Sequence, residues 1–320
     1  MIRRLALIAL STVILALLWQ RIGWREVIGV CLTLDPAWFA AAVLLFIPQT
    51  LLAGARWAWI VRCYQPLAIG RATEIVLASS ALNVILPSKL GDIAKGLWLN
   101  RDEPRGDVAS GLALGVFEKG LDTAALALIM LCATLLSLPT ERLGWAMAST
   151  AALGAALFLC LLVPTVAGWL ARRSEREHTG VIGKALALFG RIGELVLRLH
   201  RAPGNLLVIL VSAVLLWCLH LLQFSWVLNA AHGSVATALL WSRVPMAIFI
   251  GLLPVSFAGI GTRDLAMVYL LAPPLDAPTA AALGVFATLR YVLVAIAGLA
   301  FLQRLPLHEL RKLAPTGRLT

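Results

Sequence analysis

Lys89 and Arg263 each sit in a short, glycine-containing corner between two apolar runs. The first corner, Pro87-Ser88-Lys89-Leu90-Gly91-Asp92, follows Ile75–Leu86. The second, Pro254-Val255-Ser256-Phe257-Ala258-Gly259-Ile260-Gly261-Thr262-Arg263-Asp264, follows Val244–Leu253. Gly91, Gly259 and Gly261 permit tight turns. Helices that start at such corners aim free backbone N–H groups at anions. A lysine or arginine beside them adds full positive charge, and the combination suits a phosphate or other anionic head group. Asp92 and Asp264 either cap the limbs that follow or neutralise these cations.

Five more ionisable residues stand inside apolar stretches, where charge is expensive and each is a functional candidate by default. Arg290 lies in the middle of the last long apolar run and needs a carboxylate or a polar cavity; Asp122, Glu118 and Asp264 are the expected partners. Glu118 and Asp122, spaced i, i+4, share a helix face, with Lys119 on a neighbouring one. Arg56 lies about five residues from the end of the second long run. Two readings stay open for these residues. They form internal salt bridges that fix helix packing, or they line a polar path.

The elements that must position them are membrane helices. The chain has 320 residues, 61% hydrophobic and 13% charged, with a mean hydropathy of +0.90. Such a composition predicts an all-α polytopic membrane protein. The short alternating segments of a transmembrane barrel are absent. The net charge of +11 does not point to nucleic acid, because the basic residues fall between apolar runs as the positive-inside rule requires. The five cysteines are scattered, without a CxxC pair or a nearby histidine, and the five histidines do not cluster. No metal site or cofactor is implied. Arg3-Arg4 before Leu5–Trp19 resemble a signal peptide, but no small-residue cleavage pattern follows, so an uncleaved first span is expected.

Six full spans are expected: Leu5–Trp19, Ala37–Val61, Val108–Leu138, Leu143–Leu170, Leu206–Ala231 and Ala277–Leu302. The two broken runs, about 18 and 15 Å long as helices, are too short for a hydrocarbon core of roughly 30 Å. Each is followed by a short second limb, Ile93–Leu99 and Leu265–Leu271, and each pair is expected to form a re-entrant hairpin. With the N-terminus in the cytoplasm, 18 Lys and Arg residues, Lys95 among them, fall on the cytoplasmic side and three outside. That bias supports the arrangement. The whole chain, 1–320, then reads as one transmembrane domain with halves 1–140 and 141–320 in inverted orientation. The basic segment Ala171–Pro203 reads either as an amphipathic helix on the cytoplasmic leaflet or as an ordinary basic loop.

Three motifs match a known family. Asn83-Val84-Ile85-Leu86-Pro87-Ser88-Lys89-Leu90-Gly91-Asp92 resembles the N-x-x-(L/F)-P-x-x-x-G-(E/D) corner of the lysylphosphatidylglycerol-synthase transmembrane-region family, the flippase-like membrane proteins. Phe117-Glu118-Lys119-Gly120-Leu121-Asp122 is similar to its E-(R/K)-x-x-D motif. Pro254 to Asp264 is similar to its P-x-x-x-G-G-(L/I)-G-x-R-E motif, with Ala258 where a first glycine is usual and Asp264 for Glu. The resemblance implies a lipid-translocating membrane domain. In bifunctional members a separate soluble domain makes the aminoacylated lipid; with the sequence ending at Thr320, synthase activity is not expected here.

The expected function is therefore that of a lipid flippase or lipid-binding transporter in the bacterial inner membrane, with both termini cytoplasmic. It would move a phospholipid, glycolipid or hopanoid-type lipid, and not act as an enzyme. The alternatives are a non-transporting partner of a lipid-modifying enzyme, and a membrane-embedded transferase. Against the last, GxSxG, HExxH and the paired-aspartate run of head-group transferases are all missing. The expected partners are membrane lipids with charged head groups, then a lipid-modifying enzyme or further copies of the chain.

Overall fold

The computed structural model describes residues 2–85, 91, 95–98, 108–137, 142–174, 180–253, 256 and 259–302, and among these every regular element is a helix. The chain is an all-α, polytopic membrane protein. Helices are the form that satisfies every backbone group within one segment, which apolar surroundings demand. In order they are α1 (Ile2–Ile22), α2 (Trp24–Leu32), α3 (Pro36–Leu44), α4 (Phe46–Val61), α5 (Ile69–Ile85), the 3₁₀ turn η1 (Lys95–Trp98), α6 (Val108–Leu136), α7 (Arg142–Leu162), α8 (Pro164–Ser174), α9 (Gly180–His200), α10 (Pro203–Ala230), α11 (Thr237–Leu252), α12 (Thr262–Leu271) and α13 (Ala277–Leu299).

Five segments are long and apolar enough to cross a membrane: Pro36–Val61, Ser110–Leu136, Arg142–Leu162, Pro203–Ala230 and Ala277–Leu299. They match five of the expected spans, two of which are interrupted. The expected helix Leu143–Leu170 breaks at Val163. Pro164 has no N–H to give the preceding turn and its ring crowds that turn's carbonyl. The chain closes α7 with Val163 N donating to Cys160 O at 3.2 Å and restarts as α8, with Pro164 at its first position. Pro48 acts similarly. It leaves the Leu44 carbonyl without its helical donor, and the span Pro36–Val61 is interrupted at Leu45. Near that break two buried glutamines bind backbone carbonyls. Gln223 Nε2 donates to Ala42 O at 2.6 Å, and Gln49 Nε2 donates to Leu219 O at 3.1 Å.

The broken runs are also corrected. α5 starts six residues before Ile75, and α11 starts seven before Val244. At about 25 and 24 Å they remain shorter than a hydrocarbon core. The polar residues just ahead of the apolar runs belong to the helices. Arg71 Nη1 pairs with Glu74 Oε2 at 2.9 Å one turn on. Arg243 reaches from α11 to the C-terminal end of α12, where its Nη1 donates to the carbonyls of Leu270 and Ala272. A cation on those free carbonyls also opposes the negative end of the helix dipole. α11 and α12 therefore form a hairpin. Of the expected limb Ile93–Leu99, Lys95–Trp98 is described and is a 3₁₀ turn.

The backbone groups into two units, and α4, α6, α7, α10 and α13 give residues to both. One unit holds residues 1–49, 122–157 and 213–293. Its core is built from Leu126, Leu221, Phe224, Leu240, Met267, Leu271, Leu283 and Phe286. Phe286 takes Phe39 and Phe224 edge-on, with ring centroids 6.2 and 6.0 Å away.

The other unit holds residues 50–121, 158–212 and 294–320. Here α8 packs on α9, with Gly193 set against the Ala167 carbonyl. The expected amphipathic segment is α9. Ile192, Leu195, Val196 and Leu199 are buried, whereas Ile182 and Phe189 remain exposed. The same unit clasps α5 through glycines on three neighbours: Gly54 of α4 abuts Thr73, Gly298 of α13 abuts the Leu77 carbonyl, and Gly91 abuts the Ser79 carbonyl and Asn83. A methyl group at any of these positions would collide with α5.

Candidate functional site

Among the described residues two groups of buried charge stand out, one in each unit. In the unit that contains α5, Arg56 projects from α4 and Glu118 from α6. Arg56 Nη2 lies 3.1 Å from Glu118 Oε1, and Lys95 Nζ meets the other carboxylate oxygen, Oε2. The Arg56, Lys95 and Glu118 side chains are only 3, 6 and 2% exposed, so water does little to screen them. Lys95 also stands 4.7 Å from the centre of the Trp57 ring, in the geometry of a cation–π contact. Glycine places the lysine: Gly96 sits directly on the backbone of Gly111 in α6, an approach that a side chain would block. The sequence marks Lys95 only as one of the cytoplasmic-side charges; its burial in this cluster is visible in the structure alone.

In the other unit the charge is built into the α11–α12 corner. Gly259 and Gly261 have φ of 78° and 92°, the left-handed region that favours glycine. Gly261 N donates to Asp264 Oδ2 at 2.8 Å, so Asp264 closes the start of α12. Its other oxygen, Oδ1, accepts from Arg263 Nη2 at 2.7 Å and from Nε at 3.1 Å. Both sequence alternatives for Asp264, capping and neutralisation, hold together. Arg263 Nη2 further donates to Gly284 O at 3.1 Å and to Thr288 Oγ1 at 2.7 Å, both on α13. Gly284 leaves room for Asp264. Arg263 thus ties the corner to α13, and Ser256 and Thr262 link their hydroxyls at 2.7 Å across the turn.

Gly259→Ala should therefore lower stability by about 1–2 kcal/mol from the left-handed backbone alone. Its new methyl group would also press on the Gly251 carbonyl at 2.6 Å. Gly204→Ala, which meets nothing within 4 Å, is the control. Thermal denaturation in detergent reads the difference, and equal midpoints would show that the corner has room to adapt.

Arg290 overturns an expectation. Its neighbour is a histidine, not a carboxylate: Nη2 lies 3.1 Å from His220 Nδ1 on α10. Its guanidinium carbon stands 5.4 Å from the centre of the Phe224 ring, one turn further along α10. Of the carboxylates expected to meet it, Asp264 is held by Arg263, and Glu118 by Arg56 and Lys95. Sequence reasoning missed His220. Its only signal was a lone imidazole in the middle of a long apolar run.

The remaining candidates are quickly placed. Asn83 lies in the last turn of α5 beside Gly91, and Lys119 and Asp122 are half-buried on α6. Pro87, Ser88, Lys89, Asp92 and Pro254 lie outside the described residues.

A protein-family model, the lysylphosphatidylglycerol synthase TM region, matches residues 4–298. The chain belongs to this family. Comparison with curated proteins and with solved structures returned no match. As a lysylphosphatidylglycerol synthase TM-region protein, it carries within the matched stretch both corners, the Arg56–Lys95–Glu118 cluster and Arg290.

Proposed function

We propose that this protein binds a lipid with an anionic head group and moves it between the leaflets of the bacterial cytoplasmic membrane, without catalysing a covalent reaction. The observation that carries this reading is the buried cluster in which Arg56 and Lys95 share one carboxylate, Glu118. Among the described residues it carries more positive than negative charge. A phosphate can take the place of Glu118 against either cation, while the acyl chains stay in lipid. Lys89, two residues before Gly91 in the sequence, is the further cation proposed to meet the head group. Arg263 is fully engaged by Asp264, Gly284 and Thr288, so a head group would reach it only if that pairing opens.

Vesicles test the reading. A fluorescent anionic phospholipid should equilibrate between leaflets faster with the protein than without it. One charge-assisted contact is worth roughly 1.5–3 kcal/mol, so Lys89→Gln and Lys95→Gln should each weaken lipid retention about ten- to a hundredfold. If both variants retain and move the lipid like the unchanged protein, the head group does not bind there. No movement of any lipid, together with a stoichiometric soluble partner on purification, would favour a docking role for a lipid-modifying enzyme.

The inverted arrangement of halves 1–140 and 141–320, with cytoplasmic termini, belongs to the same proposal. Cysteines introduced at Ser88 and Thr262 should be shielded from membrane-impermeant reagents, and cysteines at positions 71 and 105 should label from one side. Labelling of those two from opposite sides would exclude a re-entrant first hairpin.

A further inference from the structure

We infer that His220 is a proton-binding site coupled to anion binding at Arg290, so that a proton enters together with each anionic head group. This rests on the reading of the chain as a binder of anionic lipid. His220 is the only residue between Pro203 and Ala230 that takes a charge near neutral pH. It faces Arg290, which lies in the middle of α13.

An arginine side chain has only donors and no acceptor. The 3.1 Å contact between Arg290 Nη2 and His220 Nδ1 therefore requires a lone pair on Nδ1. The ring proton is then on Nε2, and the imidazole is neutral. In this state the histidine and the Phe224 ring occupy Arg290. Protonation of Nδ1 removes the acceptor. It sets two cations about a hydrogen-bond length apart where screening is weak.

An anion between the two cations would accept from both and cancel one unit of charge. Proton and anion then each favour the binding of the other, and the coupling is reciprocal. Both side chains are only partly buried, which leaves them approachable. The neighbours fit this use. Trp217 packs edge-on to His220 at 5.2 Å, and its buried indole N–H has no hydrogen-bond partner. It is a further donor beside the ring.

Among the described residues, the charged and titratable groups beside the pair lie on α12 and α13. α13 contributes Arg290 and Tyr291. α12 contributes Arg263, with its charge held by Asp264. α4 contributes the neutral Gln49, bonded to Gln223.

The test uses the full chain in nanodiscs, with phosphatidylglycerol as the anionic probe and phosphatidylcholine as the zwitterionic control. Binding of phosphatidylglycerol should tighten about tenfold between pH 8 and pH 5.5, and binding of phosphatidylcholine should not change. His220→Gln keeps an oxygen acceptor for Arg290 but cannot titrate, so its pH profile should be flat. Arg290→Gln should lose the acid-strengthened part of phosphatidylglycerol binding. A second readout does not depend on a variant that folds. Adding phosphatidylglycerol to the unchanged protein in weak buffer near pH 7 should take up protons, and phosphatidylcholine should take up none. Anionic binding that is equally tight at both pH values, or that tightens equally in His220→Gln, overturns the coupling and leaves lipid binding intact. Failure to bind phosphatidylglycerol at any pH overturns both the coupling and the proposed function.

Discussion

Glu118→Gln is expected to be the most damaging single substitution in the Arg56–Lys95–Glu118 cluster. The change is nearly isosteric, so packing is kept and only charge is lost. Arg56 and Lys95 would then be two buried cations without the carboxylate they share. Breaking a buried pair by removing one partner costs about 3–5 kcal/mol, a large share of the total stability of an ordinary domain. The variant should accumulate poorly in membranes and elute as aggregate after brief warming in detergent. Charge arithmetic makes the neighbouring variants milder. Arg56→Met leaves the Lys95–Glu118 pair, and Lys95→Met leaves the Arg56–Glu118 pair. Each should retain more monodisperse protein than Glu118→Gln in fluorescence-detected size exclusion. If Lys95→Met proved as damaging as Glu118→Gln, contact with Trp57 and not charge would be what holds the turn.

Asp264→Asn should rank next. Asparagine keeps one acceptor for Gly261 N but withdraws the charge that faces Arg263. The arginine, 4% exposed, would keep only the Gly284 carbonyl and the Thr288 hydroxyl. A loss of about 3–5 kcal/mol is expected on the same reasoning. Arg263→Gln combined with Asp264→Asn removes both charges and should regain part of that loss, a coupling that a double-mutant cycle in thermal denaturation measures. Simple additivity of the two single losses would mean that the ion pair contributes nothing beyond its separate hydrogen bonds.

Much of this architecture was legible in the sequence because membrane helices are read by length. Val108–Leu138, Leu206–Ala231 and Ala277–Leu302 need only small adjustments at their ends. Leu143–Leu170 misled because an uncharged run looks continuous to a hydropathy count, whereas Pro164 acts through a missing N–H that such a count ignores. α5 and α11 were drawn too short for the opposite reason. Arg71 counts among the cytoplasmic charges and Arg243 stands just ahead of its apolar run, and neither shows its place in a helix until its partner on the same or the next helix is known.

The site was legible wherever a charge stood inside an apolar run, as with Arg56, Glu118 and Arg290. It was illegible where the signal was a partner. Lys95 sat in a limb too short to register as buried. His220 is separated from Arg290 by 70 residues, a pairing that no local pattern predicts.

The three glycines around α5 have a mechanical consequence. A helix that touches its neighbours through side chains can slip by a residue and repack. α5 is keyed: Thr73, Leu77 and Ser79 each fit a notch where a neighbour has no side chain. Rotation or sliding by one residue would disturb all three close approaches. Such a helix cannot serve as a piston. It travels only as freight, together with the segments that grip it. Among the described residues, the interruptions at Leu45 and Val163 are compliant joints, because prolines there already leave a rung of the hydrogen-bond ladder unmade.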